Sequence, residues 1–198
     1  MIATYALHAA AIAALLINLL AAQSAMAGDA AAGARLAAAR CASCHSSTET
    51  IHAMQPLLEG QPKAYFIAQW RAFGKRERST APVMVSLAAE LNEQEVDDLA
   101  EHYAALVPTP AGESTGSEAG RALADRMRCA GCHGPALHGT SAGAARLAGQ
   151  RARYTTWSLQ LMRSGSRSHG TVAMPDPLLF GLSNAEIESL AAHFASLR

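Results

Sequence analysis

Apolar residues return every third or fourth position in two separated stretches: Val96, Leu99, Tyr103 and Leu106, then Ile187, Leu190, Phe194 and Leu197. That spacing lines one face of an α-helix. A reciprocal cap signal precedes each stretch, Asn92 with Glu95 and Ser183 with Glu186. Two more helices are predicted upstream of each. An alanine-rich one spans about Asp29–Cys44, with a counterpart at about Glu118–Cys132. Another runs from Pro62, at a first helical position that tolerates proline, to about Phe73, and its counterpart covers about Arg151–Arg163. No stretch reads as a strand, so the expected fold class is all-α. The proline-flanked segments around Met84 ("APVMVS", Ala81–Ser86) and Met174 ("VAMPDP", Val172–Pro177) read as irregular.

The elements come in the same order twice. "GARLAAARCASCH" (Gly33–His45) matches "GRALADRMRCAGCHG" (Gly120–Gly134), and "LEGQPKAY" (Leu58–Tyr65) matches "LAGQRARY" (Leu147–Tyr154). Arg78 falls opposite Arg167 and Met84 opposite Met174, with an offset that drifts only from 87 to 91 residues. The chain is therefore a tandem duplication, with one domain at 28–107, a second at 118–198 and a linker at 108–117. The joining stretch "VPTPAGESTGS" (Val107–Ser117) has the Pro, Gly and Ser content of a linker.

Residues 1–27 read as a secretory signal peptide. Ala9–Ala22 is uncharged and apolar, and "AMA" at Ala25–Ala27 places small residues at the two positions a signal peptidase reads. The apolar run is shorter than the roughly 20 residues of a membrane span. No Lys or Arg precedes it, which departs from the usual pattern. Export to the periplasm with cleavage near Gly28 is the expectation, with an uncleaved hydrophobic anchor as the alternative.

Composition sharpens the picture. Half the residues are hydrophobic but only 5% are aromatic, so large side chains to fill a core are scarce. A buried prosthetic group would supply the missing volume; a lean helical bundle has the same composition. Sixteen basic residues balance sixteen acidic ones, which argues against a nucleic-acid partner. The balance is uneven: residues 28–112 hold seven basic against ten acidic, and residues 113–198 hold nine against six. Opposite charge on the two halves can orient docking onto a protein partner.

All four cysteines lie in two Cys-x-x-Cys-His motifs, Cys41, Cys44 and His45, then Cys129, Cys132 and His133. Three chemistries compete. A redox dithiol of the thioredoxin kind needs a βαβ context, and these motifs close helices instead. A shared zinc site would bring together pairs that 84 residues separate, far beyond the usual spacing of roughly 15–20, and would leave the histidines unused. Covalent haem attachment uses every residue: two thiols one helical turn apart add to the vinyl groups of one porphyrin, and the histidine faces the iron. For the opposite face the repeat nominates Met84 and Met174, 39 and 41 residues beyond His45 and His133 and the only methionines that recur. Met54, Met127 and Met162 have no such placement. His52, His138 and His169 lack counterparts; His169 is the most credible substitute because it shares a loop with Met174. His102 and His193 recur in the last helices, where packing or solvent exposure is expected.

In these motifs, with "GDAAAG" before the first, a tyrosine five residues after each Leu-x-Gly-Gln glycine, and the two closing helices, the chain resembles the tandem two-haem class I cytochromes c of the c-four type. The resemblance implies a haem c in each domain with His/Met axial ligation and domains meeting near the haem edges. It also implies a periplasmic protein, soluble or loosely membrane-associated, that passes electrons to a terminal oxidase or similar acceptor. Its partners would be redox proteins, membrane-associated acceptors among them. Two six-coordinate irons leave no place for a small-molecule substrate, so the chain reads as a carrier, not an enzyme. The alternatives are a two-haem subunit of a periplasmic dehydrogenase, such as flavocytochrome c sulfide dehydrogenase, or a haem enzyme with one open iron. Two departures from the family pattern stand out. Ser46 replaces the glycine that Gly134 supplies in the second motif, and Ala145 stands where Pro56 offers a carbonyl to the proximal histidine. The second predicts unequal support for the two histidines and unequal haem potentials. Arg78 and Arg167 suit haem propionates or a solvated surface.

Overall fold

A computed structural model describes residues 28–46, 54–109, 116–170 and 177–198; the signal-peptide reading, His52, most of the linker and Met174 lie outside them. In the first half α1 (Ala30–Arg40), α2 (Ala42–His45), α3 (Lys63–Gly74), α4 (Pro82–Ala88) and α5 (Glu93–Ala105) follow in order. In the second, α6 (Glu118–Arg126), α7 (Ala130–His133), a 3₁₀ turn at Pro135–Leu137, α8 (Ala152–Arg163) and α9 (Asn184–Ser196) repeat the plan. No strand occurs among the described residues, so the all-α expectation holds.

Each half is organised by the crossing of its first and last helices. Gly33 of α1 lies so close to α5 that a β-carbon there would sit 2.0 Å from the Asp98 carbonyl oxygen, and at Gly120 of α6 it would sit 1.9 Å from that of Ser189 in α9. Only glycine permits this approach, which explains why the residue recurs. Both predicted capping boxes are present: Asn92 accepts from the Glu95 amide at 3.0 Å and Ser183 from the Glu186 amide at 3.2 Å, while each glutamate accepts in return at 2.9 Å. The apolar stripes face inward. Leu99 with Phe66, Trp70, Val96 and Tyr103 forms the first core, and Leu190 and Phe194 with Leu123, Leu137 and Ala148 form the second.

Two expectations are corrected. The first helix of each half stops short of the cysteine motif instead of running through it. Cys41 caps α1 with φ −118°, and in the second half Arg128 takes a left-handed φ of 59°, so the motif forms a separate turn after its helix. The segment around Met84 is helical, not irregular: Pro82 occupies the first turn of α4, where its fixed φ starts a helix and its missing N–H costs nothing.

The halves meet through polar side chains at equivalent positions. Gln61 and Gln150 each bond main chain of the opposite half, and Arg78, Arg167, Tyr65 and Tyr154 join above them. The two copies therefore face each other about an approximate two-fold axis.

Candidate functional site

Each Cys-x-x-Cys-His motif is a single helical turn. The Cys44 and His45 amides donate to the Cys41 carbonyl at 3.1 and 3.0 Å, and those of Cys132 and His133 to the Cys129 carbonyl at 3.3 and 3.0 Å. The turn sets the two thiols one turn apart with the histidine next in line. Cys41 packs on the first core and Cys129 on the second, and burial pushes both thiols above the usual cysteine range. Among the described residues no three His, Cys, Asp or Glu side chains gather into a metal-binding group, so the two cysteine pairs do not converge on a shared zinc.

The histidines are held alike. His45 Nδ1 lies 2.8 Å from the Pro56 carbonyl oxygen, and His133 Nδ1 lies 2.8 Å from that of Ala145. A carbonyl only accepts, so Nδ1 carries the proton in both rings and Nε2 keeps the lone pair that can bind a metal. The unequal support expected from Pro56 and Ala145 is therefore corrected: the group that holds each ring is backbone, which alanine presents as well as proline. Burial lowers the affinity of His133 for a second proton; the Ala145 contact opposes this and His169 adds to it.

Met84 is half-buried in α4 and packs against the same core as Cys41. His169 lies beside His133, with ring centroids 5.8 Å apart and planes 19° from parallel. Met54 is 40% exposed, and Met127 packs on the second core next to its own motif. His138 is on the surface, its Nε2 2.8 Å from the Arg198 carbonyl oxygen.

Arg78 and Arg167 are not surface residues. They are 6% and 3% exposed and lie where the halves meet. Arg78 donates to Gln69 at 3.0 Å and Tyr154 at 2.9 Å; Arg167 donates to Ser158 at 2.7 Å, Tyr65 at 3.0 Å and Tyr154 at 3.2 Å. Gln69 and Ser158 are themselves equivalent positions in the repeat. Neither guanidinium meets a carboxylate among the described residues. Burial resists ionisation of Tyr154, yet the pull of Arg167 and Arg78 outweighs it and brings the phenol to about 7. Tyr65 goes the other way because burial dominates there.

Two buried cations without anions are costly unless an acidic group joins them. Arg78 Nε, Arg167 Nε and Trp70 Nε1 are buried donors without partners. The two arginine donors fit a group that carries carboxylates, as haem does with its propionates. Sequence reasoning offered the arginines a choice between surface and propionate; their burial decides against the surface. It missed Gln61 and Gln150 altogether, although their recurrence at equivalent positions was a signal.

The cytochrome c family model matches residues 117–198. The chain is 31% identical over 179 residues to the thiosulfate dehydrogenase electron acceptor of Stutzerimonas stutzeri (strain A1501), covering 83% of this chain and 82% of that one. It is 30% identical over 181 residues to cytochrome c4 of Thiocapsa roseopersicina, covering 86% and 93%. Among solved structures, reduced cytochrome c4 from Pseudomonas stutzeri matches with a TM-score of 0.69 at 26% identity, over 87% of this chain and all (100%) of that one. Thiosulfate dehydrogenase (TsdBA) from Marichromatium purpuratum matches with a TM-score of 0.74 at 30% identity, over 85% of this chain and 40% of that one.

Proposed function

Since the chain belongs to the two-haem class I cytochromes c of the cytochrome c4 type, electron-transfer proteins that carry covalent haem c, we propose which residues serve its two haems and which partner reduces them. Cys41 and Cys44 carry one haem in domain 28–107, and Cys129 and Cys132 carry the other in domain 118–198. His45 and Met84 would hold the first iron, and His133 and Met174 the second. The observation that carries this reading is the matched pair of 2.8 Å contacts, which occupy Nδ1 of each histidine and leave Nε2 as the ring nitrogen to bind a metal. Arg78, Arg167 and Trp70 offer their free donors to the propionates. Methionine ligation favours a raised potential and fills the last position on iron, so the protein carries electrons and turns over no substrate.

The donor is a periplasmic thiosulfate dehydrogenase, reached after export and loss of residues 1–27. Two matched proteins support this: one is named for accepting that enzyme's electrons, and in the other a region similar to this chain forms 40% of a thiosulfate dehydrogenase chain. When bound, the two haems supply two one-electron iron couples, enough to take up the two electrons released as two thiosulfate ions join through a sulfur–sulfur bond. The chain's part is to hold both sites in one molecule and to present oppositely charged halves to its partner. Mixing the oxidised protein with a thiosulfate dehydrogenase and thiosulfate, and following haem absorbance, tests the assignment. Reduction of both haems at a rate that falls with added salt is expected. Reduction by a flavin-dependent sulfide dehydrogenase but not by the thiosulfate enzyme would overturn it.

One observation favours a second ligand set in the C-terminal half. His169 stacks against His133 and would replace Met174 there, leaving that iron closed but at a lower potential.

A further inference from the structure

The carbonyl that orients His45 is itself held by the other half of the molecule. It belongs to Pro56, which has no N–H, and the groups on either side of it reach across the interface. Leu57 donates its N–H to Gln150 Oε1 at 2.9 Å, and its carbonyl accepts from Gln150 Nε2 at 2.9 Å. The Gln55 carbonyl accepts from Arg151 Nη1 at 3.1 Å. Arg151 Nη2 also donates to the carbonyl of Ser46, the residue after His45, at 2.5 Å. Gln150 and Arg151 are consecutive, 6% and 2% exposed, and locked together, since the Arg151 amide donates to Gln150 Oε1 at 2.9 Å.

The reverse contact is weaker. Gln61 Nε2 donates to the Arg146 carbonyl at 2.9 Å and Gln61 Oε1 accepts from the Arg146 amide at 3.1 Å, beside the Ala145 carbonyl that holds His133. The position equivalent to Arg151 is Pro62, which has no donor. The second half secures its own histidine segment instead: the Gly139 amide donates to the His133 carbonyl at 2.8 Å, and the Leu147 amide to the Leu137 carbonyl at 2.9 Å.

We propose that Gln150 and Arg151 are positioning residues for the N-terminal haem, setting the His45 hydrogen bond, and hence that haem's potential, from the C-terminal domain, while Gln61 does the same, less strongly, for the C-terminal haem. The inference rests on His45 and His133 being iron ligands. A hydrogen bond from Nδ1 to a fixed carbonyl makes the imidazole more electron-donating and favours ferric iron. Releasing the carbonyl weakens that bond and raises the potential. Because the tie crosses the interface, a change in one domain alters the haem of the other.

The test is a site-resolved redox titration of the full-length two-haem protein by proton NMR, with the N-terminal haem's signals identified as those that Met84→Ala perturbs. Gln150→Leu and Arg151→Lys, the second keeping the charge while losing the forked donor, are expected to shift the reduction equilibrium of the N-terminal haem severalfold towards ferrous, up to about tenfold or roughly 59 mV for one electron. The C-terminal haem stays unchanged. Gln61→Leu is expected to shift the C-terminal haem alone, and by less. Should either variant not load haem, Gln150→Met adds no charge while removing the donor to the Leu57 carbonyl, and carries the same expectation. Equal shifts at both haems, shifts confined to the substituted residue's own domain, or unchanged potentials would each overturn the proposal. A wild-type spectrum without two sets of iron-bound histidine signals would instead overturn the ligand assignment beneath it.

Discussion

Replacing Gly33 by alanine tests how closely α1 and α5 must cross. The new methyl would lie 2.0 Å from the Asp98 carbonyl oxygen, 2.5 Å from its carbon and 2.8 Å from His102 Cβ. All three belong to α5 and none is the far end of a flexible side chain, so the helices must part by more than 1 Å to reach ordinary contact at 3.4 Å. Overpacking of this kind costs about 1–3 kcal/mol. Parting the helices also strains the 2.7 Å bond from the Asp29 amide to the Asp98 carboxylate, worth about 1 kcal/mol. The helix preference of alanine over glycine returns only about 0.5–1 kcal/mol. A net loss of about 2 kcal/mol follows, and Gly120→Ala, 1.9 Å from Ser189, should match it. Guanidinium chloride unfolding followed by far-UV circular dichroism measures both. Gly131→Ala is the control: nothing lies within 4 Å of its added carbon, so its stability should be equal to or slightly above wild type. Gly33→Ala at wild-type stability, or Gly131→Ala costing as much as Gly33→Ala, would refute the close-crossing argument.

Ser183→Ala removes the acceptor for the Glu186 amide and should cost about 1 kcal/mol in the same unfolding assay; an unchanged midpoint would contradict it. Arg167→Met removes the larger of the two pulls on Tyr154, so its phenol should titrate above about 7, read from carbon-13 tyrosine NMR. The sign for stability follows from the depressed acid: its contribution is present at alkaline pH and lost as pH falls through about 7, so the variant should be weakened chiefly above neutrality. An unmoved midpoint would show that the guanidinium is not the cause. Met174→Ala should turn the C-terminal haem high-spin and open to cyanide, whereas His169→Ala should leave it low-spin; the reverse result would assign His169 to the iron.

Much of this was legible in residue order. The duplication exposed itself through matched motifs, and the capping boxes at Asn92 and Ser183 placed the last helices to within a residue because side chain and backbone there are local partners. The cysteine turns were equally local. The break between α6 and α7 was not, since it rests on a left-handed Arg128, a conformation that no arginine advertises. The helix at Pro82–Ala88 was missed because prolines on both sides of the comparison suggested a loop, yet proline in a first turn starts a helix as readily as it ends one. Ala145 at the position of Pro56 suggests a lost carbonyl, yet every residue presents that main-chain oxygen. The interface was hidden for a different reason. Gln150 meets Leu57 across 93 positions of sequence, and only the packing of one copy on the other brings them together.

Closed coordination at both irons is the claim on which the carrier reading stands. The proton NMR spectrum of the fully reduced protein addresses it directly, because a methionine methyl held against a porphyrin face is shielded far upfield of every other signal. The account predicts two such three-proton lines, one lost in Met84→Ala and the other in Met174→Ala. A single line, or none, would contradict it.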